Sequence, residues 1–159
     1  ARLRSLRDAG RDAAIILAGA DFFEICTEEE RRLLAFASER RRYAAGSVIT
    51  ASGDVPVGAQ VLISGTISIA PDGAGEPNPH VVSQAGAVIS AVSLVVERPR
   101  HVTVKAISIV ETLVVPRPAF MKLVRQSPEL AQRAADRIRR DLVGFVSAVT
   151  PAGRKIRKD

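Results

Sequence analysis

A series of short stretches rich in β-forming residues lies between residues 43 and 116, and it constrains the fold more than any other feature. Gly, Pro or Asp, which favour chain reversals, bound each stretch. The stretches are residues 47–50, 59–64, 66–70, 81–84, 101–107 and 109–115. Short strands at near-regular spacing are typical of an antiparallel roll or barrel, not of a parallel sheet with crossover helices. We therefore predict a mainly β fold.

Helical patterns flank this β segment on both sides. Residues 3–17 have an amphipathic pattern, and Thr27 and Glu30 have the spacing of a capping box. The helix that this box begins is predicted to run into the basic stretch that ends at Arg42. After the β segment, residues 118–126 are predicted to form a short helix, and Ser127, Pro128 and Glu129 have the order of an N-cap, first-turn proline and first-turn acid.

These patterns predict one domain over residues 1–150, since the chain of 159 residues is long enough to bury a core. The domain consists of a helical lead-in at 1–42, a β-roll at 43–116 and C-terminal helices at 118–149. Residues 151–159 lack an apolar period and are predicted to be a disordered basic tail. Only 4% of the residues are aromatic, so the core is expected to be aliphatic.

Charge and hydropathy bear on localisation and partners. No apolar run is long enough to cross a bilayer, and residues 1–19 are not organised as a signal peptide. We therefore expect a cytoplasmic protein without a membrane partner. The net charge is +6, but most basic residues alternate with Asp and Glu as they do on solvated helix faces. At most weak, non-specific contact with nucleic acid is expected, through the tail.

Residue sets that would indicate catalysis do not occur at a recognisable spacing. There is no Ser/His/Asp set, no paired carboxylates and no P-loop. His80 and His101 are too far apart to indicate a metal pair, and Cys26, the single cysteine, excludes an intramolecular disulfide. We expect a protein that is not an enzyme, with no catalytic residues, no metal and no cofactor.

Residues 86–106 have the outline of an anion-binding segment, which we call the cassette. It contains a glycine turn, a short apolar helical turn at residues 92–96 and an arginine at the start of a strand. A helix start supplies backbone N–H groups to a phosphate, and an arginine supplies a charged fork. The candidate ligand-binding residues are Ser90, Ala91, Val92, Arg100, His101 and Val102.

The last predicted helix carries an apolar stripe that is wider than one packing surface needs. It includes Leu130, Ala134, Ile138, Leu142, Phe145 and Val149, widened by Ala131, Ala135 and Val146. A second copy of the chain would cover the excess, so we predict a homodimer in which Ile138, Leu142 and Phe145 meet their partners.

The order and spacing of several motifs resemble the cyclic-nucleotide-binding domain family, which includes catabolite-activator-like bacterial regulators and the regulatory subunits of protein kinase A. The resemblance covers about residues 20–142, and its motifs lie at residues 42–49, 53–54, 61–65, 115–117 and 127–131, in addition to the cassette. It implies an eight-stranded, jelly-roll-like β-roll between an N-terminal helical region and C-terminal helices. It also implies a signalling role, with cAMP, cGMP or another anionic ligand.

The cassette departs from the pattern that the resemblance implies. Ser90 and Ala91 stand where the family has a glycine and a glutamate that binds the ribose 2′-hydroxyl. The family arginine corresponds to Arg100, with Arg98 as a rival, and His101 and Val102 are expected to crowd the place of a cyclic phosphate.

Three functions follow as alternatives. The first is a non-enzymatic, stand-alone regulatory domain, with an unidentified protein partner, whose altered pocket binds the usual cyclic nucleotides weakly. The second is a true sensor that binds a cyclic nucleotide or another anion in a variant mode through Arg100. The third is a transcription regulator whose DNA-binding domain lies outside this chain, since little sequence follows the last predicted helix.

Overall fold

The computed structural model describes residues 2–71 and 79–149, with side chains for residues 9–71 and 79–141. The predicted tail at 151–159 lies outside the described residues, as do the side chains of Leu142 and Phe145. In the described part, the helices are α1 (Arg2–Ala18), α2 (Glu28–Ala37), α3 (Arg117–Gln126) and α4 (Pro128–Val149). Two 3-10 turns, Phe22–Ile25 and Ala91–Leu94, complete the helical elements.

Eight antiparallel strands form the β-roll that the sequence and the resemblance predict. They are β1 (Glu39–Tyr43), β2 (Val48–Thr50), β3 (Gly58–Ser64), β4 (Ile67–Pro71), β5 (His80–Val82), β6 (Val88–Ile89), β7 (Val102–Ala106) and β8 (Val110–Pro116). One sheet has the order β1-β8-β3-β6 and the other the order β2-β7-β4-β5. The fold is therefore mainly β, with helices at both ends of the chain.

The helix starts that the sequence predicts are present. Thr27 Oγ1 accepts a hydrogen bond from the Glu30 N–H at 3.1 Å, and Glu30 Oε1 accepts one from the Thr27 N–H at 2.8 Å. Ser127 Oγ accepts a hydrogen bond from the Leu130 N–H at 3.1 Å. These contacts satisfy N–H groups that have no partner within their own helix.

The boundary between the helical lead-in and the roll differs from the expected one. α2 ends at Ala37 because Ser38 has an extended backbone and its hydroxyl donates to the Leu34 carbonyl at 2.7 Å. The basic stretch that was predicted to end this helix is instead the edge strand β1, which pairs with β8. Charged side chains on an edge strand discourage pairing with another chain, which explains a strand with so little apolar character.

Two apolar cores lie on the two faces of the sheet that contains β3 and β8. The inner core, between the two sheets, is aliphatic as expected and includes Leu62, Ile67 and Val104. The outer core packs the helices on the sheet, and three of its buried side chains are aromatic: Phe22, Phe23 and Phe120. Their ring centroids are 5.3–6.5 Å apart, in tilted or edge-on contacts. The expectation of a purely aliphatic core is therefore wrong for the helical side.

Within the described residues, no helix combines the length and apolar character that crossing a lipid bilayer requires.

Candidate functional site

The cassette connects the two sheets. After its glycine turn it runs through β6, turns through Ser90 into the 3-10 turn Ala91–Leu94 and then enters β7. The Ser93 N–H donates to the Ser90 carbonyl at 2.9 Å, and the Val95 N–H donates to the Val92 carbonyl at 3.1 Å. The apolar helical turn that the sequence predicts is thus a tight 3-10 turn.

Ser90 has an unusual backbone conformation. Its φ is +62° and its ψ is +43°, and it is the single non-glycine residue with positive φ in the described part of the chain. The left-handed region favours glycine because a Cβ atom is crowded there. The geometry therefore explains the glycine that the resemblance implies at this position.

Ala91 and Val92 form the start of the 3-10 turn, and both are half-buried. Ala91 packs in part against the outer core. Its methyl group can neither donate nor accept a hydrogen bond, so this position offers a ligand hydroxyl no carboxylate.

Arg100 is anchored by its backbone to the turn that follows β2. Its N–H donates to the Asp54 carbonyl at 2.9 Å, and its carbonyl accepts from the Gly53 N–H at 2.8 Å. The Nε atom of Arg100 is buried and has no hydrogen-bond partner. Arg98, in contrast, is exposed. A buried guanidinium N–H without a partner is an available donor for an anion.

The residues after Arg100 differ in their surroundings. Val102 packs against the inner core, whereas His101 is exposed. Arg100 and His101 precede β7, which begins at Val102. The expected crowding of a cyclic phosphate by His101 and Val102 stays a prediction.

A small cavity lies beside the turn that anchors Arg100. Its volume is about 270 Å³, and its lining consists of Arg41, Ile49, Thr50, Asp54, Val55, Pro56, Val57, Gly58 and Gln60. A hydrogen bond to Glu39 raises the pKa of Arg41, so this guanidinium is charged. Gln60 Oε1 accepts hydrogen bonds from the Thr112 hydroxyl at 2.6 Å and from the Tyr43 hydroxyl at 3.1 Å. The roll interior is thus polar at this end.

Arg117 ties the cassette to α3, a role that sequence reasoning missed. Its Nε donates to the Ser93 carbonyl at 2.8 Å, its Nη2 donates to the Pro56 carbonyl, and its Nη1 lies 3.7 Å from a Glu97 carboxylate oxygen. A positive side chain in the first turn destabilises a helix, because the helix dipole places partial positive charge at that end. That placement is the sequence signal that could have indicated a tertiary role for Arg117.

α4 is tied to the 3-10 turn Phe22–Ile25 by two arginines. The Arg133 Nε donates to the Ile25 carbonyl at 2.7 Å. The Arg137 Nη2 donates to the Asp21 carbonyl at 2.9 Å and lies 3.0 Å from the Asp21 carboxylate. These contacts fix the first half of α4 on the N-terminal elements.

The predicted dimer residues lie from the middle of α4 onward. Ile138 is half-buried and packs against the outer core of its own chain. Leu142 and Phe145 lie on the helix, and their side chains are outside the described ones. The predicted contact thus depends mainly on these two residues.

In the described residues, no group of three or more His, Cys, Asp or Glu side chains is arranged to hold a metal ion. Cys26 is buried, and burial raises the pKa of its thiol to about 12, with a further contribution from the Glu30 carboxylate.

Several solved structures resemble this chain. The catabolite activator protein of Thermus thermophilus is 22% identical, with a TM-score of 0.66 over 80% of this chain and 61% of that chain. The regulatory domain of Toxoplasma gondii PKA, crystallised with cAMP, is 22% identical, with a TM-score of 0.65 over 82% of this chain and 51% of that chain. The sensor domain of the transcriptional regulator DNR from Pseudomonas aeruginosa is 13% identical, with a TM-score of 0.70 over 89% of this chain and 95% of that chain.

The chain thus spans about three fifths of the length of the Thermus protein. No curated protein matches the chain. The family model of the cyclic nucleotide-binding domain matches residues 40–127, which is more than half of the sequence and includes the whole cassette. The chain therefore belongs to the cyclic nucleotide-binding domain family.

Proposed function

We propose that this chain is a non-enzymatic regulatory domain whose altered pocket binds cAMP and cGMP weakly. The observation that carries the proposal is Ala91 at the start of the 3-10 turn, where the family resemblance implies a ribose-binding glutamate. The left-handed Ser90 supports the same alignment, because that conformation suits the glycine that precedes this glutamate.

The size of the expected defect follows from the missing hydrogen bond. A hydrogen bond to a charged group contributes roughly 1.5–3 kcal/mol net. The absence of the glutamate therefore weakens binding by about ten- to more than a hundredfold. A ligand that a relative binds at micromolar concentration would then not occupy this pocket at cellular concentrations.

Calorimetry with cAMP and cGMP tests the proposal. We expect weak or undetectable binding to the unmodified protein and measurable affinity after the double change Ser90→Gly, Ala91→Glu. Adding Arg100→Ala should abolish the gain, because the cyclic phosphate loses its charge-assisted partner. Arg98→Ala is the matched control, since Arg98 is exposed and lies two residues before Arg100. Submicromolar binding of either nucleotide by the unmodified protein would refute the proposal.

The second candidate is a sensor of a different anion through Arg100. The buried Arg100 Nε atom without a partner favours it, since buried guanidinium N–H groups are normally hydrogen-bonded. Native mass spectrometry of the purified protein would reveal a retained anion, and Arg100→Ala should remove it while Arg98→Ala should not. A ligand-free spectrum, with no heat on titration with cyclic nucleotides or inorganic phosphate, would exclude this candidate.

We further propose that the domain acts in the cytoplasm as a homodimer through α4, from Ile138 onward, and that it is the regulatory part of a longer protein. The likeness to a sensor domain of a transcriptional regulator supports the role as a regulatory part. Sedimentation at micromolar concentration should give twice the chain mass, and Leu142→Asp should give the single-chain mass. Ile109→Asp is the control, since Ile109 is 53% exposed and lies on the roll. A monomer in the unmodified protein would refute the dimer.

A further inference from the structure

A groove that no cassette residue lines separates α1 from α2. Its volume is about 470 Å³, and its lining consists of Gly10, Arg11, Ala14, Ile15 and Ala18 of α1 and Glu28, Arg31, Arg32 and Phe36 of α2. The proposed ligand pocket does not use any of these residues. The groove is therefore open to a second role.

Large apolar side chains are exposed at and beside the groove, although contact between α1 and α2 does not require their exposure. Phe36 is 70% exposed and Ile15 is 65% exposed, and Leu33, on α2, is 51% exposed. Single exposed apolar residues are normal, but a contiguous group at a concave surface marks a binding site. Gly10 helps to form the groove: a Cβ atom at this position would lie 3.2 Å from the Phe36 Cε1 atom.

The charged residues of the groove are predominantly basic. Arg32 lies 3.6 Å from Glu28, so these two charges offset each other. Arg31 donates through Nη1 to the carbonyls of Phe23 and Cys26, at 3.1 and 2.6 Å, which orients its guanidinium but leaves its charge. Arg11 adds a further exposed positive charge. The apolar surface is thus combined with a net positive potential.

The length of the groove suits a short helix. Gly10, Ala14 and Ala18 are spaced by four residues and form one row along α1. This row spans about 12 Å, which equals roughly two turns of an α-helix. An amphipathic helix that lies in a groove typically uses apolar anchors over such a length.

We propose that this groove binds an acidic amphipathic helix of a partner protein. Charge decides between the possible occupants. The tail of this chain carries Arg154, Lys155, Arg157 and Lys158, and a second copy carries a net charge of +6, so neither offers the groove a surplus of acidic side chains. A helix with leucine anchors and flanking glutamates instead complements both the apolar surface and the arginines.

A pair of designed peptides tests the proposal on the full chain. The probe is a labelled helical peptide of about 14 residues, with Leu at positions i, i+3, i+4 and i+7 and Glu at the flanking positions. The control peptide has Lys in place of each Glu. By fluorescence anisotropy, we expect the acidic peptide to bind at least about tenfold more tightly than the basic one, and to weaken as salt is added.

Substitutions locate the binding site. Phe36→Glu and Arg11→Glu should each weaken binding of the acidic peptide by about tenfold or more. Both residues are exposed, so the thermal midpoint should stay unchanged. Ile109→Glu and Lys105→Glu on the roll are the matched controls, since both residues are exposed and lie outside the groove.

Several results would overturn the proposal. Equal affinity for the acidic and basic peptides, or no binding up to about 1 mM, would remove the acidic helix as occupant. Unchanged binding in Phe36→Glu would place the peptide elsewhere. Self-association that Phe36→Glu abolishes would show that a second copy of the chain occupies the groove.

Discussion

The left-handed conformation of Ser90 makes a quantitative prediction about stability. An L-residue in this region costs about 1–2 kcal/mol, which glycine avoids. Glycine, however, loses about 0.5–1 kcal/mol more conformational freedom on folding. We therefore expect Ser90→Gly to raise the free energy of unfolding by about 0.75 kcal/mol, the centre of a difference that spans about 0 to 1.5 kcal/mol. In a domain of this size, that corresponds to a rise of about 1–4 °C in Tm.

Urea denaturation with a matched control measures the effect. Ser64→Gly makes the same chemical change at an exposed position of β3, where φ is not positive. It should lower the free energy of unfolding by about 0.5–1 kcal/mol. The two variants should thus move the urea midpoint in opposite directions with the same slope. If Ser90→Gly destabilises the protein as much as Ser64→Gly does, Ser90 is not held in the left-handed region.

Three further predictions concern the core, the thiol and a buried arginine. Phe120 is fully buried in the aromatic group, so Phe120→Ala should cost about 3–5 kcal/mol in urea denaturation; a cost below about 1 kcal/mol would contradict this packing. Because burial raises the pKa of Cys26 to about 12, its alkylation near neutral pH should be at least about a hundredfold slower than that of a free thiol, and unfolding should restore the rate. Arg137→Met should cost only about 1–2 kcal/mol, since the carboxylates around Arg137 are 56–76% exposed and stay solvated without it; a cost of about 3–5 kcal/mol would show that these charges are not solvated.

The β-roll could be predicted where a strand alternates apolar and polar residues between breakers, because such a pattern depends on local sequence. β6 has two residues, Val88 and Ile89, which are too few to form a pattern. β1 is edge-exposed and rich in arginine, so hydrophobic periodicity could not reveal it. Pairing with β8, which is distant in sequence, determines that it is a strand.

Part of the candidate site could also be predicted, because it depends on local sequence. The positions of Ser90, Ala91 and Arg100 follow from the order of motifs along the chain, which the resemblance supplies. The contacts of Arg117 with Ser93 and with the Pro56 carbonyl join segments that are 24 and 61 residues away in sequence. Such contacts depend on the assembled fold, and local spacing does not encode them.

Several arginine side chains bind backbone carbonyls of the fold, which bears on how many of them could contact nucleic acid. Arg31, Arg117, Arg133 and Arg137 each donate at least one hydrogen bond to a backbone carbonyl. The side chains of Arg117 and Arg137 are only 14% and 11% exposed, and acidic side chains lie within 4 Å of both. The guanidinium groups of Arg117 and Arg137 thus connect segments of the fold and cannot reach out to phosphates. Phosphate contacts therefore have to come from other arginines and lysines, whereas the net charge of +6 is unchanged, because it already includes the acidic side chains beside these two arginines.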